Sequence, residues 1–85
     1  MDNRTIANRL TSHALLLEQA HGSLYRVRAY RRAAETVLGL DEPVEQIVDR
    51  EGRKGLQSLD GIGRRLAGAI EQLVRTGEFR SLNSC

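Results

Sequence analysis

Cysteine, proline, lysine and aromatic side chains are all scarce in this 85-residue chain, and tryptophan is absent. Its one cysteine, Cys85, leaves no disulfide framework and no cysteine-based metal site. His13 and His21 stand without a ligand-spaced cluster of cysteines or carboxylates, which argues against a metal centre built on histidine. With only Tyr25, Tyr30 and Phe79 as aromatic residues, the core must come from Leu, Ile, Val and Ala. No apolar run approaches the roughly 18 residues that a membrane span needs, and no signal-peptide pattern opens the chain. The expectation is a soluble, cytoplasmic protein, associated with the nucleoid if bacterial, with no membrane partner. No stretch alternates with period two, so no sheet is expected and the chain reads as all-α.

Basic residues are plentiful but one-sided. Lysine plus arginine number 13 against 11 acids, and every base except Lys54 is arginine. Arginine binds phosphate bidentately and keeps its charge, which suits a phosphate-binding surface. A biased genomic base composition would give the same excess. At this length one domain, 1–85, is expected, burying only about 60–65% of its unfolded surface.

The first helix is expected to start near Asp2 or Asn3, either of which can cap it, with Ile6, Leu10, Ala14 and Leu17 as an apolar stripe. Leu15 and Leu16 widen that stripe, implying a helix packed on more than one side. Gly22 marks its end, and His13 and His21 read as surface or boundary residues. Ser23 opens a second helix that runs to Leu38 and stops at Gly39, with Val27, Tyr30, Ala34 and Val37 apolar. Arg26, Arg28, Arg31 and Arg32 crowd its start, where cations oppose the helix dipole unless an anion is near. A solvated basic face partly balanced by Glu35 is the alternative.

Asp41-Glu42-Pro43 reads as a helix entry, with Asp41 as the cap and proline in the first turn, followed by a short helix to about Asp49 with Val44, Ile47 and Val48 inward. Arg50 to Gly55 reads as a polar, mobile loop, and Leu56 to Leu59 as one helical turn. Leu59-Asp60-Gly61-Ile62-Gly63-Arg64-Arg65-Leu66-Ala67 then carries two glycines around one apolar residue at the head of a helix. Unpaired amides and the positive end of a helix dipole make such a corner an anion site, although glycines that merely permit tight packing would give the same pattern. The last helix is expected over about Gly63 to Arg75 with Gly77 as its stop, Phe79 and Leu82 folding back over the core, and the final residues fraying.

Three stretches together resemble the N-terminal helix-hairpin-helix domain of family X DNA polymerases, the DNA polymerase beta type. They are Tyr25 to Ala34 (YRVRAYRRAA), Leu59 to Gly63 with Ala67, and Thr76 to Leu82 (TGEFRSL), in matching order and separation over Asn3 to Leu82. The resemblance implies a compact, SAM-like domain of four to five helices with its hairpin at about 56–75. It also implies sequence-independent binding of gapped or nicked DNA on the side of the 5′-phosphate, in DNA repair. Gly61, Ile62 and Gly63 would present backbone amides to a phosphate, with Arg64, Arg65, Arg26, Arg28, Arg31 and Arg32 adding charge and Tyr25 stacking on a base. The hairpin would hold a monovalent cation, Na+ or K+, through carbonyls of Gln57, Leu59 and Ile62; no other cofactor is implied. A polymerase or other domain would follow in a longer polypeptide.

Three departures qualify the resemblance. The family's lyase lysine falls at Ala69, and arginine cannot replace an amine nucleophile, so no enzyme is expected. A lyase using Lys54 or the terminal amine is a remote alternative. Asp60, at a position often held by proline, would cap the following helix or repel a phosphate. No Asp-x-Asp pair for catalytic metals occurs. A protein-interaction domain that has kept the scaffold but lost DNA binding is the other reading.

Overall fold

The computed structural model describes residues 1–79: α1 (Asn3–Gln19), α2 (Leu24–Leu38), α3 (Val44–Gln57) and α4 (Arg64–Thr76), with no strand among them. The fold is all-α, as the periodicity implies. Packing is most extensive between α1 and α2 and between α3 and α4, so the molecule is two helix pairs sharing one core. The stripe Ile6, Leu10, Ala14 and Leu17 meets Val27, Tyr30, Ala34 and Val37 of α2 in that core, together with Val44, Ile47, Val48, Leu56, Ile62, Ile70 and Leu73.

Several sequence expectations are revised. Leu15 and Leu16 are each 49% exposed, so α1 buries a single face. The segment Arg50 to Gly55 is helical rather than a loop. Its charged residues lie on the solvent face of α3, where Arg50 pairs with Glu42 and Glu51. Gly52 bends the helix there, at φ 64° and ψ −146°, a conformation essentially confined to glycine. The stop of α1 uses His21 as its left-handed residue (φ 59°), with the Gly22 N–H donating to the Leu17 carbonyl at 2.7 Å and the His21 N–H to Glu18. This is the paired hydrogen bonding of a Schellman end, shifted one residue from the expected glycine.

His13 is another revision. It is 2% exposed, inside the core, with its ring tilted against Tyr30 at 4.4 Å and Phe79 at 4.8 Å. Neither ring nitrogen has a hydrogen-bond partner among the described residues. Burial lowers its pKa below the ordinary 6.5, and the charge of Arg26 adds to the shift. Above pH 6.5 both folded and unfolded chains carry a neutral ring. Below it the unfolded chain takes up a proton that the folded chain resists, so stability falls by at most about 1.4 kcal/mol per pH unit until the folded pKa is reached. Urea midpoints at pH 7 and pH 5 are expected to differ clearly in the wild type and much less in His13→Phe or His13→Leu. An unchanged pH dependence in both variants would contradict this placement.

Helix starts are resolved in two different ways. At α1 the Asp2 carboxylate accepts the Thr5 N–H at 2.8 Å; the Thr5 side chain and this N–H together lower the pKa of Asp2. At α3 the N-cap position is Pro43, not Asp41, and the capping group comes from another helix. Asn3 Oδ1 accepts the Val44 N–H at 2.8 Å while its Nδ2 donates to the Glu42 carbonyl at 2.9 Å. One amide thus caps α3 and pins it to the first turn of α1. Asn3→Ala is expected to cost about 1–2 kcal/mol, the value of a lost cap in a part-buried setting. A thermal melt shifted by no more than a degree or two would argue against it.

The chain closes at the end of α4. Gly77 terminates the helix, and its carbonyl accepts Arg9 Nη2 from α1 at 3.0 Å. Phe79 packs against the core edge-on to Tyr30, as the fold-back expectation has it. Leu82 and the final residues lie outside the described residues. No helix among those described is long and apolar enough to cross a membrane.

Candidate nucleic-acid interface

The turn between α3 and α4 is built from short local bonds. Ser58 ends α3, its hydroxyl donating to the Gly55 carbonyl at 2.7 Å, and the Leu59 N–H donates to Leu56. The Ile62 N–H then donates to the Leu59 carbonyl at 3.2 Å, closing the turn. Ile62 is 3% exposed and plugs into the core between its two glycines, which anchors the corner. Gly61 sits at φ 76°, a conformation that side chains rarely adopt, and the stem of Arg32 crosses it where a Cβ would stand, within 2.9 Å. Thr36 Oγ1 donates to the Asp60 carbonyl at 2.8 Å and ties the turn to α2.

The consequence is that the start of α4 stays open. Gly63 is the N-cap residue, and no side chain caps it. Its carbonyl accepts the Ala67 N–H, but the N–H groups of Gly61, Gly63, Arg64 and Arg65 have no acceptor among the described residues. Asp60, which the sequence offered as a cap, turns instead to Arg32, 3.3 Å away. The start of α2 is open too, since Ser23 makes no side-chain cap. Neither α2 nor α4 has an acid in its first turn. In contrast α1 is capped by Asp2, while α3 has the Asn3 cap and Glu45 in its first turn.

The two open helix starts meet. A cleft of about 380 Å³ lies between them, walled by Tyr25 and Arg26 from α2 and by Gly61, Gly63, Arg64 and Arg65 from the hairpin. Ala29, Tyr30 and Leu66 also line it. Arg26, Arg64 and Arg65 have no carboxylate partner among the described residues, whereas Arg31, Arg32, Arg50, Arg53 and Arg75 are all paired. Three free guanidinium groups beside two helix N-termini are destabilising unless an anion joins them, since each like-signed charge there costs about 0.3–1 kcal/mol. Tyr25 stands at the cleft with 82% of its surface exposed, open to a stacking partner.

Not every expected residue gathers here. Arg31 pairs with Glu18 of α1 at 3.3 Å, and neither Arg28 nor Arg32 lines the cleft, Arg32 being turned to Asp60. The Ile62 amide is spent on the turn rather than presented outward. Ala29, Tyr30, Leu66 and Thr36 contribute without having been singled out. Thr36 alone had a signal in the sequence, lying four residues after Arg32 on the same helical face.

Of the carbonyls expected to face a cation, Leu59 already accepts one N–H, while those of Gln57 and Ile62 accept none among the described residues. Hard oxygens at the negative end of α3 match a monovalent cation in chemistry. No cluster of three or more histidine, cysteine, aspartate or glutamate side chains suited to a metal occurs among the described residues.

No sequence among curated proteins matches this chain significantly. The family model described as helix-hairpin-helix domain matches residues 1–79, nearly the whole chain and all of the architecture above. The chain belongs to the helix-hairpin-helix domain family, whose members generally bind nucleic acid.

Proposed function

We propose that this domain is a non-catalytic, sequence-independent DNA-binding module that takes the 5′-phosphate side of a gap or nick into the cleft between α2 and α4, in a DNA-repair setting. The observation that carries the reading is the pairing of two uncapped helix starts with the unpaired Arg26, Arg64 and Arg65 around one cleft. A terminal phosphate brings more negative charge than an internal one and so gains more from these unpaired cations and open amides. The amides of Gly63, Arg64 and Arg65 would receive its oxygens while the arginines neutralise it, and Tyr25 would stack on an adjacent base. Backbone contacts of this kind fix position and carry no base sequence. A module making so few of them binds in roughly the micromolar range or weaker at physiological salt.

The carbonyls of Gln57, Leu59 and Ile62 would hold a monovalent cation at the hairpin, where it would screen the approaching backbone. The reading is non-catalytic because the position of the family lyase lysine is the buried Ala69, while Lys54 lies outside the cleft. A polymerase or other catalytic domain in a longer polypeptide would supply any chemistry.

The test is a 15N NMR titration with a one-nucleotide gapped duplex bearing a 5′-phosphate. The amides of Gly61, Gly63, Arg64 and Arg65 are expected to shift first and most. Shifts absent there would favour the second reading. That reading is a protein-interaction domain, and the exposure of Leu15, Leu16 and Leu38 is its support.

A further inference from the structure

We propose that Asp60 and Arg32 form an electrostatic latch that holds down the affinity of the hairpin for a phosphate backbone. Arg32 gives up Asp60 when it takes a DNA phosphate. The inference rests on the DNA-binding reading above and adds a residue that opposes it.

Four features of the turn carry the latch. Arg32 Nη2 lies 3.3 Å from Asp60 Oδ2, a single contact between side chains that are 64% and 81% exposed. Water reaches both, so the pair is held weakly and opens readily. The stem of Arg32 rests across Gly61, which places its guanidinium at the hairpin turn that leads into α4. The backbone of Asp60 is fixed separately, because its carbonyl accepts the Thr36 hydroxyl. The carboxylate can therefore swing away without moving the turn.

A guanidinium has five donors, and one contact to Asp60 leaves most of them free. An approaching phosphate offers Arg32 a bidentate acceptor, and Asp60 then loses its partner beside a second negative charge. Each bound complex thus carries the cost of a broken pair and an unneutralised carboxylate. Arg31, paired with Glu18 across α1 and away from the turn, is not placed to do the same.

The experiment is a double-mutant cycle on Asp60→Asn, Arg32→Gln and the double variant, read as affinity for the gapped duplex at low salt. Asp60→Ser repeats the cycle with a side chain too short to keep the Arg32 contact. Either replacement of Asp60 is expected to tighten binding about two- to fivefold with Arg32 in place, and by much less with Gln at 32. Equal tightening in both backgrounds would mean that Asp60 acts by repulsion alone, and would overturn the latch. Weaker binding on replacing Asp60 would overturn it as well, showing that the carboxylate holds Arg32 ready for DNA. Absence of binding by the wild type and every variant would overturn the DNA reading itself, and the latch with it.

Discussion

Replacing Arg26, Arg64 and Arg65 together by alanine is expected to weaken binding to a 5′-phosphorylated gapped duplex on the order of a hundredfold or more at low salt. Hydrogen bonds to charged groups are worth roughly 1.5–3 kcal/mol each, and three such groups line one cleft. The same variant should show a flatter dependence on salt, its slope reduced by about 2 to 3, since each phosphate contact contributes about 0.9. Net charge alone would predict the same loss for any three arginines. Arg50, Arg53 and Arg75 provide the comparison, because each is already paired with a carboxylate, Glu51 of α3 for Arg50 and Glu71 of α4 for the other two. Their triple alanine variant removes the same charge and is expected to change affinity only a few-fold. Equal losses in the two triples would mean that the cleft is not the site. The cleft variant should fold at least as well as the wild type, because it relieves cations at two helix starts.

Ile62→Ala is expected to be the most damaging single change to the hairpin, costing about 2–5 kcal/mol. The side chain is nearly fully buried in the shared core, and its removal leaves a cavity at the junction of the two helix pairs. A domain of this size has only about 4–13 kcal/mol of total stability, so the loss is a large share of it. Thermal unfolding should move down by roughly 10–30 °C. Ile62→Val, one methylene smaller, should cost only about 0.5–1.5 kcal/mol. DNA binding by Ile62→Ala at low temperature should fall along with the folded fraction, because Ile62 anchors the turn and touches no phosphate. A melting point near that of the wild type would show that the corner is held by other means.

What could be read from the sequence divides along local and non-local physics. The all-α class, the stripe of α1, the arginine-rich start of α2 and the glycine corner all depend on spacing within a few residues. The kinked helix at Arg50 to Gly55 was hidden because glycine and dense charge imitate a loop. A helix presenting those charges to solvent, bent at one glycine, satisfies the same residues. His13 was hidden by residue type, although it lies three residues from Leu10 and four from Leu17 on the buried stripe. The cap that Asn3 gives to α3 joins residues 41 apart, and no local pattern announces such a bond.

The candidate site divides the same way. The open amides after Gly63 follow from the hairpin itself. That the uncapped start of α2 faces them across a cleft does not, because the meeting depends on how one helix pair docks on the other. Arg31 and Arg26 look alike in sequence, five residues apart on one helix. Only packing gives one of them Glu18 and leaves the other at the cleft.

The central claim is that this cleft recognises a terminal phosphate on DNA. Fluorescence anisotropy with a one-nucleotide gapped duplex, with and without the 5′-phosphate, across a salt series, tests it most directly. The account predicts binding that is clearly tighter with the phosphate and that weakens with salt at a slope equivalent to a few phosphate contacts, about 0.9 for each. Equal binding of the two duplexes would contradict recognition of the terminus, and no binding even at low salt would contradict the DNA-binding reading as a whole.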